Sequence, residues 1–157
     1  MRQLYEFIFE KPTIRKLRAE VHESILFQEL KATELNRVLD KLQLRSFKAK
    51  EHVFFEGDLG SALFIILQGQ IKIVRSIQGK NKDLATLGKG MFFGEVAIMH
   101  PVPRTASAIV QEDALLACLF KHDLDRLISQ YPKLGTKLLR ILGAMIAQRL
   151  SSTLEKV

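Results

Sequence analysis

The chain has 157 residues, of which 47% are hydrophobic and 26% are charged, a composition that suits one globular domain with one core. No apolar run approaches the roughly 18–20 residues of a membrane span, and the first residues lack the pattern of a secretory signal. The net charge of +7 is spread along the chain instead of forming a basic block, which disfavours nucleic-acid binding. We therefore expect a cytoplasmic protein with a basic surface.

Residues that usually carry catalysis or bind metals are sparse and scattered. The four histidines show no ligand spacing. The single cysteine, Cys118, lies in an apolar run at 114–120, which predicts a buried, reduced thiol. No nucleophile occurs together with a base in a catalytic pattern. We expect a protein that is not an enzyme and that holds no metal and no cofactor.

The first part of the chain, residues 13–46, carries a helical pattern. Thr13 is a candidate N-cap for a first helix, and Thr33 with Glu34 begins a second one. The apolar positions of the two segments are Val21, Ile25, Leu26, Phe27, Leu30, Leu35, Val38, Leu39 and Leu42. These helices are predicted to pack against the rest of the domain.

Residues 47–120 consist of short strand-like runs separated by turns that contain glycine. The runs are 53–55, 62–67, 70–75, 83–87, 104–110 and 114–120. Evenly spaced short strands without intervening helices favour a compact antiparallel roll or barrel. The predicted fold is α+β, mainly β, with an antiparallel β-roll or jelly-roll barrel between N-terminal helices and C-terminal helices at 121–157.

The most distinctive stretch of the chain is 93–106. Gly94 precedes a segment too short for an ordinary helix, which predicts one helical turn that begins with the unpaired N–H groups of Val96 and Ala97. Arg104 follows at the start of a strand-like run. A glycine, a helix start and one arginine together predict a compact site for a single anion, best matched by a phosphate.

Glu95 lies beside this anion site, although a carboxylate repels a phosphate. Its presence is explained if the same ligand also offers a hydroxyl group that donates to the carboxylate, as a ribose does. One phosphate held together with one free sugar hydroxyl describes a cyclic nucleotide.

The motif Phe-Gly-Glu-Val-Ala, followed by Pro-Arg-Thr-Ala, resembles the phosphate-binding cassette of the cyclic nucleotide-binding domain family. The similarity extends from about residue 25 to the C-terminus and includes the glycine pattern at 56–71. It implies a single domain over 1–157 that binds cyclic AMP or cyclic GMP and signals through its helices. The implied ligand-binding residues are Ile73, Leu87, Gly94, Glu95, Val96, Ala97, Arg104, Thr105, Arg149 and Thr153.

The resemblance leaves two questions open at this site. Thr105 occupies a position where family members that hold guanine have a threonine or serine, whereas Thr153 falls where similar long helices contact the adenine amino group. We expect cyclic AMP to be the stronger ligand and cyclic GMP the weaker. Glu95 has a second implied role, an ion pair with Arg149, in addition to the sugar contact.

The last helix is predicted at 134–157, after a short one at 123–128. Its apolar surface over 138–150 is wider than one stripe, which favours packing against both the roll and a second copy of the chain. The polar residues near its end make it a candidate lid over the base, supplied either by the same chain or by the partner. These residues are Arg149, Ser151, Ser152 and Thr153.

The end of this helix resembles the catabolite activator branch of the family, in which a DNA-binding domain follows, and we expect no such domain here. The expected partners are a cyclic nucleotide, a second copy of the chain and a downstream protein that the sequence does not identify. Nucleic acid and membrane are not expected. A second interpretation stays open, in which the domain is a dimeric adaptor that keeps the fold without binding a nucleotide.

Overall fold

The computed structural model describes residues 14–156, and within them five helices surround one antiparallel sheet. The helices are α1 (Ile14–His22), α2 (Ala32–Leu39), α3 (Glu95–Met99), α4 (Lys121–Gln130) and α5 (Pro132–Leu154). The strands are β1 (Gln43–Phe47), β2 (His52–Phe54), β3 (Ala62–Ile77), β4 (Lys80–Leu87), β5 (Phe92–Phe93) and β6 (Ser107–Phe120).

The sheet has the strand order β1-β6-β3-β4, with β2 added to β6 and β5 added to β3. Every pairing is antiparallel. In the described part of the chain β1 and β4 lie at the two ends of this order, so the roll is open and is not a closed barrel. The predicted fold class, a mainly β domain with helices at both ends, is confirmed.

The two central strands, β3 and β6, are apolar on both faces over residues 62–67 and 114–119, because both faces are covered there. Ile65 and Leu119 belong to the layer beneath the helices, whereas Phe64 and Leu116 lie inside the roll. Successive side chains of a strand alternate between faces, so covering both faces requires a continuous apolar run. This requirement explains the uninterrupted apolar run at 62–67.

Two pairs of predicted strands are single long strands. The runs at 62–67 and 70–75 both belong to β3, and β6 likewise joins two predicted strands. Gly69, predicted to be a turn, lies inside β3 with a φ of 90°, where the register with β6 shifts. A Cβ there would lie 2.5 Å from the carbonyl oxygen of Asp113. The glycine therefore permits a bulge that bends the paired strands without ending them.

The N-terminal region is less helical than predicted. Residues 23–30 form successive turns after α1, and β1 already begins at Gln43, inside the segment 13–46 that the pattern assigned to helices. The turns still bury Phe27, because successive turns repeat apolar positions at almost the spacing of a helix. The predicted cap Thr13 lies outside the described residues.

The C-terminal helices begin earlier than predicted. α4 contains the predicted segment 123–128, and α5 covers the predicted segment 134–157 only as far as Leu154, with residue 157 outside the described part. Pro132 occupies the first turn of α5, where the missing N–H group breaks no helical hydrogen bond. Within residues 14–156, no helix combines the length and apolar character needed to cross a membrane.

Candidate functional site

A cavity of about 590 Å³ lies between the roll, the short helix α3 and the last turns of α5. All of the predicted ligand-binding residues line it. They are Ile73, Leu87, Gly94, Glu95, Val96, Ala97, Arg104, Thr105, Arg149 and Thr153. The fold thus brings residues from distant parts of the sequence around one space, and their role in binding stays a prediction.

Gly94 shapes the start of α3. Its φ of 81° lies in the left-handed region that glycine adopts without strain. A Cβ at this position would lie 2.8 Å from Nη1 of Arg104 and 3.0 Å from the carbonyl oxygen of Ala62. Val96 and Ala97 follow on the cavity wall, and the first N–H groups of a helix have no partner within it. The wall at this point therefore offers backbone donors.

Arg104 lies in the loop before β6, and the prediction that it opens a strand is wrong because β6 begins only at Ser107. The residue is only 7% exposed. Nη2 donates a hydrogen bond to the carbonyl oxygen of Ala62 at 2.9 Å, and Nη1 donates to that of Gly94 at 3.2 Å. These two acceptors hold the guanidinium at the cavity wall.

The positive charge of Arg104 has little compensation in its buried position. Nε is buried without an acceptor, and none of the ion pairs within residues 14–156 includes Arg104. Its Cζ lies 4.1 Å from the ring centroid of Phe54. Burial lowers the pKa of Arg104, and the charges of Asp58 and Glu95 partly oppose this shift. The site therefore has a cation that a bound anion would neutralise.

Glu95 is paired with α5. Its Oε1 accepts a hydrogen bond from Nη1 of Arg149 at 2.6 Å, and Nη2 of the same arginine donates to the carbonyl oxygen of Phe92 at 2.8 Å. The guanidinium also lies over the Phe92 ring, with Cζ 4.4 Å from the centroid. The ion pair is the second of the two roles predicted for Glu95, and it connects α5 to α3 across the cavity.

The remaining predicted residues complete two walls of the cavity. Ile73 of β3 and Leu87 of the adjacent β4 form part of an apolar wall. Thr105 and Thr153 are both exposed at the opening. The hydroxyl of Thr153 donates to the carbonyl oxygen of Arg149 at 2.9 Å, so its oxygen stays available as an acceptor.

The sequence analysis missed other residues that line the cavity. They include Ile25, Phe54, Met91, Met145, Gln148 and Lys156, whereas Ser152, which also lines the cavity, was among the predicted lid residues. Those on α5 share with Arg149 and Thr153 a spacing of three and four residues, which marks one helical face and was visible in the sequence. Ile25 comes from the N-terminal turns, Phe54 from β2, Met91 from the loop before β5 and Lys156 from the turn after α5, and only the folded chain brings them together.

Cys118 lies away from this cavity, inside the roll, as predicted. Burial raises the pKa of its thiol to about 12, which keeps it protonated and unreactive near neutral pH. Over residues 14–156, no three histidine, cysteine, aspartate or glutamate side chains form a group that could hold a metal ion.

Comparison with known proteins identifies the family. The family model for the cyclic nucleotide-binding domain matches residues 44–131. The cyclic AMP receptor protein of Thermus thermophilus is 34% identical over 128 residues, which cover 81% of this chain and 57% of that protein. The chain therefore spans little more than half of this relative's length.

Solved structures support the same assignment. The catabolite activator protein of Thermus thermophilus has a TM-score of 0.78 at 33% identity, over 85% of this chain and 61% of that one. A cyclic nucleotide-binding domain from Methylobacillus flagellatus has a TM-score of 0.83 at 25% identity, over 90% and 83% of the two chains. Because the family model covers more than half of the sequence, this chain belongs to the cyclic nucleotide-binding domain family.

Proposed function

We propose that this chain is a regulatory module that binds a 3′,5′-cyclic nucleotide in the cavity and prefers cyclic AMP to cyclic GMP. The observation that carries the proposal is the buried charge of Arg104, which Asp58 and Glu95 compensate only in part, beside Gly94 and the start of α3. A guanidinium has five N–H donors, and carbonyl oxygens accept from only two of its nitrogens here. A cyclic phosphate would supply both the missing negative charge and further acceptors.

The sugar is assigned to Glu95. A carboxylate has about four lone-pair positions, so Glu95 can accept from Arg149 and from a ribose hydroxyl together. The hydroxyl would also compensate the carboxylate that otherwise faces the phosphate. The ion pair with Arg149 and the sugar contact are therefore compatible in this proposal.

The preference for cyclic AMP rests on the donor pattern at the mouth of the cavity. The Thr153 hydroxyl donates its hydrogen to the carbonyl oxygen of Arg149, so the Thr153 oxygen remains available only as an acceptor. The amino group of adenine is a donor, whereas guanine has a carbonyl oxygen at the equivalent position. A relative named cyclic AMP receptor protein supports the same choice. Thr105 has an exposed hydroxyl that fits cyclic GMP as the weaker ligand.

We propose that the signal leaves through α5 and that α5 also pairs with a second copy of the chain. The dimer face differs from the predicted one over 138–150, because Leu138 and Leu142 are buried in the chain's own core. Leu150 and Leu154, in contrast, are 59% and 64% exposed. Since Arg149 precedes Leu150 directly, a ligand that engages Glu95 would change the last turns of α5 where the second copy binds.

Calorimetric titration with cyclic AMP, cyclic GMP and 5′-AMP tests this function. We expect saturable binding of cyclic AMP, weaker binding of cyclic GMP, and little binding of 5′-AMP, whose second negative charge would meet the carboxylates of Asp58 and Glu95. A higher affinity for cyclic GMP would reverse the assigned preference. If neither cyclic nucleotide binds, the adaptor interpretation replaces this one.

A further inference from the structure

The guanidinium of Arg104 lies against Gly60, a residue in the loop between β2 and β3 and outside the cassette. A Cβ built at Gly60 would lie 2.5 Å from Nε of Arg104, 2.7 Å from Nη2 and 2.8 Å from Cζ. Such contacts are shorter than any van der Waals separation of these atoms. The missing side chain at Gly60 is therefore the space that the guanidinium occupies.

Backbone conformation does not explain a glycine at this position. Gly57 and Gly94 have φ values in the left-handed region, but Gly60 does not. The three heavy atoms nearest to an added Cβ there all belong to the end of the Arg104 side chain. This combination identifies the close approach of Arg104 as the reason for the glycine.

The loop that carries Gly60 is also joined to the main chain of Arg104. Gly57 N–H donates to the carbonyl oxygen of Arg104 at 2.8 Å, and Arg104 N–H donates to that of Asp58 at 2.8 Å. Phe54, just before this loop, provides the ring over which the guanidinium lies. Main chain and side chain of Arg104 are thus held by the same short segment.

We propose that Gly60 and Phe54 are positioning residues for the Arg104 guanidinium. Gly60 leaves the space, and Phe54 supplies the face that stabilises a buried cation. Together with the carbonyl oxygens of Ala62 and Gly94, they place the charge at the cavity wall before any ligand arrives. The consequence for nucleotide affinity rests on the proposed function, whereas the steric relationship between Gly60 and Arg104 does not.

The steric part is tested by a double-mutant cycle on thermal stability without nucleotide, using Gly60→Ala, Arg104→Ala and the double variant. We expect Gly60→Ala to lower the melting temperature by roughly 2–4 °C or more in the wild-type background, because the guanidinium must leave its acceptors. In the Arg104→Ala background the space beside Gly60 is empty, so adding Gly60→Ala should not lower the melting temperature further. An equal decrease in both backgrounds would overturn the proposal.

Gly88→Ala is the matched control for the loss of glycine flexibility. Gly88 also lacks a left-handed φ, and a Cβ there would meet nothing within 4 Å. We expect Gly88→Ala to leave the melting temperature unchanged or slightly raised. A decrease as large as that of Gly60→Ala would also contradict the proposal, because the effect would then not require Arg104.

The positioning role is tested by cyclic AMP affinity. We expect about tenfold weaker binding for Gly60→Ala, about threefold or weaker for Phe54→Leu, and near wild-type affinity for Phe54→Tyr, which keeps the aromatic face. Phe54 would be excluded as a positioning residue if Phe54→Leu bound cyclic AMP with wild-type affinity, or if Phe54→Leu and Phe54→Tyr lost affinity equally. If the wild-type protein binds no cyclic nucleotide, the proposed function fails, while the stability cycle still decides whether Gly60 positions Arg104.

Discussion

Arg149 of α5 and Glu95 of α3 form an ion pair with 2.6 Å between Nη1 and Oε1. The Glu95 side chain is 11% exposed and that of Arg149 is 39% exposed, so the carboxylate depends on the arginine more than the reverse. Arg149 also donates to the carbonyl oxygen of Phe92. The C-terminal half of α5 is thus attached to the cassette by the same carboxylate that we assign to the sugar.

Removing Arg149 should destabilise the domain. We expect Arg149→Ala to lower the free energy of unfolding by about 1–3 kcal/mol, because Glu95 then loses the donor that compensates its burial. Urea denaturation measures the change. Arg140→Ala, at an exposed position of the same helix, should change the free energy by less than about 0.5 kcal/mol. Equal effects of the two variants would mean that the ion pair contributes nothing to stability.

The sugar contact predicts discrimination against 2′-deoxy cyclic AMP. The wild-type protein should bind it at least about tenfold more weakly than cyclic AMP, since a hydrogen bond to a charged group contributes roughly 1.5–3 kcal/mol. In Glu95→Gln the difference between the two ligands should shrink. Competition titration measures both ratios. Equal affinity of the wild-type protein for the two ligands would leave Glu95 with the Arg149 pair as its only role.

The buried thiol predicts a pH dependence of stability. Burial raises the pKa of Cys118 from 9.0 to about 12, so above pH 9 the unfolded chain has lost a proton that the folded chain keeps. The unfolded state is then favoured as pH rises, and stability should fall by up to about 1.4 kcal/mol per pH unit between these values. Denaturation of wild type and Cys118→Ala from pH 8 to 10.5 should give the steeper decline for wild type. If stability declined equally with pH in the two proteins, Cys118 would not be the origin of the pH dependence.

The exposed leucines of α5 predict a dimer that a charge can dissociate. Leu150→Glu should convert the protein to a monomer in sedimentation velocity at micromolar concentration, because a carboxylate in an apolar interface loses its hydration. Lys133→Glu, at an exposed position in the first turn of the same helix, should leave the dimer intact. A wild-type monomer under these conditions would exclude the α5 dimer.

Local pattern in the sequence was sufficient for most of the strand residues, the helical turn after Gly94 and the clustering of the cassette residues, although β1 fell largely inside the segment predicted to be helical. It failed where contacts between residues far apart in the sequence determine the local structure. The glycine at 69 looks like a turn, and only its approach to the partner strand makes it a bulge inside β3. The alternation of residue types after Arg104 predicted a strand, but the hydrogen bonds of Arg104 to Ala62, Gly94 and Asp58 hold this residue in a loop. Gly60 was predicted only as a turn residue, and its contact with Arg104 carried no local signal because the two residues are 44 positions apart along the chain.

The central claim is that Arg104 binds the phosphate of a cyclic nucleotide. Calorimetric titration of cyclic AMP into the wild-type protein, Arg104→Lys and Arg104→Ala tests it most directly. We predict at least about tenfold weaker binding for Arg104→Ala and an intermediate affinity for Arg104→Lys, because lysine keeps the positive charge but lacks the bidentate geometry of the guanidinium. Equal affinity of wild type and Arg104→Ala would contradict the account.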